Sequence, residues 1–337
     1  MKITFLGTAA GKPSKYRNVT SIAVGLNDGQ YILIDCGEST QRQMINSNLK
    51  FNKIHSVYIT HLHADHIFGL PGLLATLNES RKDPLYIYGP SGLDKYLSHN
   101  LNGPYCKICE YNIIVQEIND MYNILNTIKY NTTEYIIEYC YVTHTVPCYS
   151  YTITKKSKPK INYSKIESVI TKYSDEITEL GYSNPNKIIN DLKERKTINL
   201  SNFTLKLEDY SIDSIDSDDL KLTIILDNCN SSNVIKFIKN SDILVHECTY
   251  IVTKNLSDKE VIDLNAKAIS HGHTTHLHGL DLCKILGCKK LFFTHFSNRY
   301  EIKDNKMSEE YDIIEDARVS LPGCDVYCAY DFDEFIL

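Results

Sequence analysis

No stretch of about 18 consecutive apolar residues occurs anywhere in the chain, so a transmembrane helix is not expected. Nor is a leader expected. The N-terminus, MKITFLGTAAG, has no basic region ahead of a long apolar run and reads as a first β-strand. The chain also lacks an excess of positive charge. A formal net charge of −6 argues against a general nucleic-acid coat, while leaving room for a local basic patch. Finally, no disulfide framework is visible. Eleven cysteines is an odd number, and their spacing suggests no pairing. An intracellular, reducing compartment is therefore expected, cytoplasm or nucleus first, with an organelle left open. Cys106 and Cys109 form a lone CxxC without further ligands nearby, which reads as free thiols.

What is present is concentrated in ITHLHADHIFGLPG, residues 59–72. His61, His63, Asp65 and His66 fall within six positions. Each is costly to bury unpaired, so such a density is not a packing feature. The cluster follows VYIT, a strand-like run, and strand ends are where α/β folds place their chemistry. Imidazoles and carboxylates are ligands for zinc. Their density suggests two metals rather than one, a device suited to phosphodiester hydrolysis.

At 337 residues and 42% apolar content, the chain can bury a substantial core as one large domain or two smaller ones. Strands are expected at 2–6, 19–26, 31–36, 54–60, 84–89, 135–144, 149–154, 220–227, 242–248 and 289–295. Helices are expected near 69–78, 91–100, 232–240 and 277–287. A ligand-like side chain closes a strand repeatedly, at Asp35, His61, His144, Asp227 and His295. Two packed sheets with helices outside would bring these ends to one edge, giving an α/β sandwich. Residues 155–200 break the pattern. They carry ten Lys/Arg against six Asp/Glu, a local balance of +4, and read as an inserted basic arm with one or two helices.

The ordered motifs FLGTAAGKPSKYRN, IDCGESTQRQM, THLHADHIFGLPGLL, HTVPCYSY, VHECTY, GHTT and THFSNRY resemble the ribonuclease Z family. These are short-form tRNA 3′-processing endonucleases of the metallo-β-lactamase superfamily. The resemblance implies an αββα sandwich over residues 1–337 with a substrate-binding arm at 155–198. It implies two Zn²⁺ per chain, one held by His61, His63 and His144, the other by Asp65, His66 and His295, with Asp227 bridging. Asp65 would also accept a proton from the attacking water, and His273 would assist the leaving oxygen or hold the phosphate. Asp35 would orient a ligand imidazole. The substrate implied is precursor tRNA, cut 3′ of the discriminator nucleotide to leave a tRNA 3′-hydroxyl and a trailer 5′-phosphate. A homodimer is implied as well, and no membrane association.

Three departures from that pattern stand out. Asn228-Cys229 follows Asp227 where the family carries a threonine, Ser150 replaces a glycine, and residues 182–196 lack the glycines usual in the arm. Two other readings stay open. One is a phosphodiesterase of the same fold acting on a small molecule, which needs no basic arm. The other is a non-catalytic RNA-binding relative, which gives no reason for a complete ligand set.

Overall fold

Continuous runs of β-branched and aromatic residues build the framework. Tyr31–Ile34 (YILI) and Ile243–Glu247 (ILVHE) are buried at every position, as expected of strands covered on both faces. The computed structural model describes residues 1–26, 29–101, 109–130, 133–157, 160–194, 196–212, 219–300, 302–303 and 306–337. Cys106, Lys158 and Arg195 lie outside the described residues. The described chain divides into two compact units. The first comprises Met1–Asn126, Ile137–Ile153 and Lys221–Leu337, the second Thr127–Ile136 and Thr154–Leu220.

Two seven-stranded sheets form the framework. The strands are β1 (Lys2–Gly7), β2 (Ser21–Gly25), β3 (Tyr31–Ile34), β4 (Ile54–Tyr58), β5 (Leu85–Pro90), β6 (Ile113–Ile118), β7 (Tyr122–Tyr130), β8 (Thr133–Val142), β9 (Cys148–Lys155), β10 (Leu220–Ile225), β11 (Ile243–Glu247), β12 (Lys290–Thr294), β13 (Asp325–Cys328) and β14 (Glu334–Ile336). One sheet has the order β14-β1-β2-β3-β4-β5-β6 and the other β13-β12-β11-β10-β9-β8-β7. β3 to β6 run parallel, as do β10 to β13. The sheets face each other through aromatic contacts. Phe5 meets Phe292 at 6.0 Å between ring centroids, and Tyr58 meets Tyr151 at 5.4 Å. The Tyr151 hydroxyl donates to the Ile59 carbonyl at 2.7 Å.

Helices cover the outer faces. α1 (Thr40–Asn46), α2 (Ala64–Ile67), α3 (Leu70–Leu77) and α4 (Leu93–Leu101) share one apolar cluster with β3, β4 and β5. On α3, Leu70, Leu73, Leu74 and Leu77 are fully buried, each contributing about 1.5–3 kcal/mol of transfer free energy. The result is the αββα sandwich expected from the sequence. Residues 232–240 form successive turns rather than the expected helix. Val234, Ile235 and Ile238 are β-branched and poor in helices, and burial of Val234 and Ile238 fixes the path instead. Among the described residues, no helix is long and apolar enough to cross a membrane.

The second unit has its own core. α5 (Tyr163–Lys172), α6 (Ser174–Glu179), α7 (Ile188–Lys193) and α8 (Leu207–Tyr210) bury Ile166, Ile170, Ile177, Ile188, Leu192 and Leu207 together. Three helices thus fall within 155–198, one more than the sequence suggested. The Asn162 side chain caps α5 by accepting from the Lys165 N–H at 3.2 Å. Several basic residues are paired locally. Lys196 contacts Asp191 and Glu194 at 2.8 Å each, and Lys156 contacts Asp219 at 2.7 Å.

The remaining helices belong to the first unit: α9 (Asp258–Ser270), α10 (His276–Leu286) and α11 (Glu310–Ser320). α10 and α11 share a core cluster with residues of β11 and β12.

Candidate metal centre

The strand ends deliver the polar side chains. Asp35 follows β3 directly and His295 follows β12 directly. Both hold the left-handed backbone region, with φ of 59° and 58°. That conformation costs a non-glycine residue energy and persists only where the surroundings enforce it. His61, His144 and Asp227 sit two or three residues past β4, β8 and β10. His63 is the N-cap of α2, and Asp65 and His66 lie on that helix.

Seven side chains converge as two sets. In the first, His61 Nε2 lies 3.0 Å from His63 Nδ1, and His144 Nε2 lies 3.2 Å from the same nitrogen. Asp227 Oδ2 stands 3.7 Å from both His61 Nε2 and His144 Nε2. In the second set, His66 Nε2 and His295 Nε2 are 3.3 Å apart. Asp65 Oδ2 lies 3.5 and 3.4 Å from them, and Asp227 Oδ1 lies 3.3 and 3.2 Å from them. A tetrahedron with metal–ligand bonds of about 2.0–2.1 Å has edges of about 3.3–3.4 Å. The spacings in both sets match that figure.

The outward-facing nitrogens explain which atoms point inward. His66 Nδ1 donates to Asp35 Oδ2 at 2.6 Å. His61 Nδ1 donates to Thr60 Oγ1 at 3.0 Å, and that hydroxyl donates on to Asp35 at 2.8 Å. His144 Nδ1 donates to the Gly272 carbonyl at 2.7 Å. His295 Nδ1 donates to Thr249 Oγ1 at 2.9 Å, and Thr249 donates to Glu247 at 2.6 Å. Each ring thereby presents a lone pair to the interior. Lone pairs about 3 Å apart repel unless a cation lies among them. Asp227 Oδ1 is buried and accepts no well-directed hydrogen bond. The donor set therefore fits metal ions, and zinc in particular.

The charge balance supports this fit. Asp35, Asp227 and Glu247 are buried, and Asp65 is nearly so. Burial opposes ionisation of Asp227, yet His295, His66 and His61 outweigh it and hold its carboxyl well below the usual range. Burial disfavours the His66 cation, but Asp227, Asp35 and Asp65 raise its pKa well above the ordinary value. His61 goes the other way, lowered by burial and by neighbouring His66. In the metal-free chain a proton on His66 thus stands where the carboxylates call for a cation.

His273 sits at the rim, 5.3 Å from the His144 ring and 5.6 Å from the His295 ring. Its Nδ1 donates to Glu247, 3.2 and 3.1 Å from the two carboxylate oxygens. Burial lowers the His273 pKa, but Glu247 prevails and lifts it to about 9. His271, the register alternative in the same segment, is exposed, and its ring bonds Ser270 and the Lys267 carbonyl. Three contributors lie within quoted motifs but were given no role from the sequence. The Gly11 N–H donates to Asp65 Oδ2 at 2.7 Å. Thr249 links His295 to Glu247. Gly272 has φ 82°, and a Cβ there would lie 2.5 Å from His144 Nδ1. Glu247 was visible within VHECTY, but its link to His273 required the fold.

Residues 1–193 match the family described as "Anti-Pycsar protein Apyc1". The chain belongs to this family. Its fold is that of the metallo-β-lactamase superfamily. The chain is also 33% identical over 339 residues to a ribonuclease Z of Oceanobacillus iheyensis, covering 99% of each chain. In fold it is similar to the short form of human tRNase Z, with TM-score 0.63, 22% identity and coverage of 100% and 99%. It is similar as well to the metallo-β-lactamase fold protein YhfI of Bacillus subtilis, with TM-score 0.60, 16% identity and coverage of 99% and 98%.

The family match corrects the ribonuclease Z reading. The motifs behind that reading build the metal centre, which serves phosphodiester chemistry in general, whereas substrate choice resides elsewhere. The departures at Asn228-Cys229, Ser150 and the glycine-free stretch 182–196 are where the sequence had already left the ribonuclease Z pattern. Precursor tRNA and the homodimer were expectations tied to that resemblance. What stands is a metal-dependent hydrolase of the superfamily, capable of phosphodiester chemistry.

Proposed function

We propose that this chain is a two-metal phosphodiesterase whose substrate is a small molecule. The observation that carries the reading is the position of Asp227. One carboxylate oxygen faces the His61/His63/His144 set, and the other faces the Asp65/His66/His295 set. A single-metal site has no use for a buried carboxylate shared in this way. The Apyc1 family match supports the small-molecule side of the reading. A bound metal pair supplies charge neutralisation at the phosphate and lowers the pKa of an attacking water.

The protein's own groups divide the remaining work. Asp35, Thr60, Gly272 and Thr249 fix the ligand rings through their outward N–H groups. Asp65, held by the Gly11 N–H, is placed to accept the proton of the attacking water. His273, charged through Glu247 and open to the rim, is placed to give a proton to the leaving oxygen.

The test is a substrate panel with zinc-loaded protein: bis(p-nitrophenyl) phosphate, cyclic and linear nucleoside phosphodiesters, and precursor tRNA. Metal content is measured in parallel. Hydrolysis of at least one small phosphodiester, with two metals per chain at saturation, is expected. Efficient cleavage of precursor tRNA with no turnover of any small diester would overturn the substrate assignment. Saturation at one metal would overturn the role of Asp227.

A further inference from the structure

Three thiols meet in the core on the outer side of the β10–β13 sheet, away from the metal ligands. Cys283 lies on α10 and is fully buried. Its Sγ stands 3.7 Å from Sγ of Cys324. Cys324 is half-buried and follows the Pro322–Gly323 turn at the end of α11, where Gly323 has φ 90°. Cys288 comes close by a different route. α10 ends on Gly287 in the left-handed conformation, φ 69°, and the Cys288 N–H returns to the Cys283 carbonyl at 3.2 Å. None of the three is in a disulfide.

A metal is not the natural occupant. The three sulfurs do not all lie within 4.8 Å of one another, so they do not enclose one point. Two thiols at 3.7 Å are instead one short movement from a bond of about 2.05 Å. The glycine turn beside Cys324 gives the backbone freedom for that movement. The two thiols also differ in character. Hydrogen bonding to Cys288 and Cys324, together with burial, pushes the Cys283 thiol up, while the bond from Cys283 draws Cys324 down. The accessible sulfur is thus the better nucleophile and the buried one is placed to resolve.

We propose that Cys283 and Cys324 form a reversible thiol–disulfide pair, closed by a low-molecular-weight disulfide, that ties α10 to the turn after α11. The Cys324 thiolate attacks one sulfur of the disulfide, forming a mixed disulfide and releasing one thiolate, which takes a proton. Cys283 then loses its proton and attacks the Cys324 sulfur, releasing the second thiol. Two protein thiols are oxidised and one small disulfide is reduced to two thiols. The bond would be a second tie between these segments, because His276 Nε2 at the start of α10 already meets Asp316 Oδ2 of α11 at 3.0 Å. A crosslink between residues 283 and 324 also restricts the unfolded chain, so the oxidised form should melt higher.

The experiment incubates the full chain with oxidised glutathione, blocks free thiols, and maps the digest by mass spectrometry without reduction. A Cys283–Cys324 linked peptide that dithiothreitol releases, with a higher melting temperature before release, is expected. Cys283→Ala should leave Cys324 carrying glutathione. Cys324→Ser should leave Cys283 reduced. Cys288→Ser should still form the link and show the same melting shift. A Cys283–Cys288 or intermolecular link in its place, or both thiols free after oxidation, would overturn the proposal. So would glutathione on Cys283 in Cys324→Ser.

Discussion

The metal centre and the second unit both concentrate charged residues, but they handle charge in opposite ways. At the centre, Asp35, His61, His66, Asp227 and His295 are buried and the outward N–H groups of His61, His66, His144 and His295 each have a fixed acceptor. In the second unit the ionic groups lie at the surface around an apolar core, and Lys196 is shared between two acids, Asp191 and Glu194, five and two residues before it in the chain. Buried charge without partners is costly, so its geometry is over-determined. Surface pairs of this kind contribute about 0–1 kcal/mol, so their geometry is loosely set. Function that depends on exact spacing therefore belongs to the first region, whereas the second can diverge in sequence while keeping its fold.

The sharpest way to break this comparison is Asp227→Ala. Both ligand sets lose a shared member: the His61/His63/His144 imidazoles face one another without an anion, and the other set keeps only Asp65. Metal content should fall sharply and hydrolysis of bis(p-nitrophenyl) phosphate should drop to the uncatalysed background. Retention of two metals and activity would remove Asp227 from the centre of the reading.

His273→Ala should act differently, because His273 belongs to neither of the two ligand sets described. Metal content should stay intact. Turnover of diesters with a poor alkoxide leaving group should fall about 10²-fold, while p-nitrophenolate esters, which leave without a proton, should change little. Equal losses on both would make His273 a positioner of phosphate rather than a proton donor. In metal-free protein, Glu247→Gln should bring the His273 titration down from about 9 toward 6.5, followed by NMR of the ring. The sign follows from linkage. A raised folded-state pKa stabilises the protein below 6.5, and that contribution is lost as pH rises through about 9.

Gly272→Ala probes the shell around the ligands. The added Cβ would meet His144 Nδ1 at 2.5 Å and the residue would be held at positive φ. Displacing this ring should cost about 10–100-fold in metal affinity or activity. Wild-type zinc affinity in this variant would show that the loop yields rather than the histidine.

Much of the first region was legible in the sequence because its signals are local. HLHADH places four polar groups in one turn, and β-branched runs announce the strands that end at Asp35, Asp227 and His295. Contributions made by backbone were not legible, since the Gly11 N–H and the Gly272 carbonyl have no side-chain signature. The 232–240 segment was misread because its apolar spacing suits a helix while its burial is served by turns. The second unit gave up its charge but not its architecture. Its core residues come from 161 to 210 and share no single periodicity. Family assignment failed for a related reason: metal motifs dominate the pattern, and substrate choice leaves a weaker trace than catalysis.

Leu192→Ala tests whether the second unit carries its own stability. Leu192 is fully buried in that unit's core, and truncation should cost about 2–5 kcal/mol locally. Hydrogen exchange should accelerate across residues 161–210 and stay slow in β4 and β11. Metal content and small-diester turnover should match the wild type. Loss of protection in β4 would show that the two regions unfold as one.

The smallest expected effect comes from neutralising the surface charge of the second unit. Lys187, Lys193 and Lys196 are exposed or partly exposed on short side-chain contacts, to Ser183, Tyr163 and the Asp191/Glu194 pair. Changing all three to glutamine removes charge without touching the apolar core. If the substrate is a small diester bound at the metals, its kcat/KM should change by no more than about twofold, and the change should vanish as salt is raised, because screening beyond a Debye length of about 10 Å removes weak steering. Turnover measured across a salt series gives the answer. A loss of tenfold or more that persists at high salt would mean that these lysines contact the substrate itself. The division of labour between the two regions would then fail, and the second unit would count as part of the binding site.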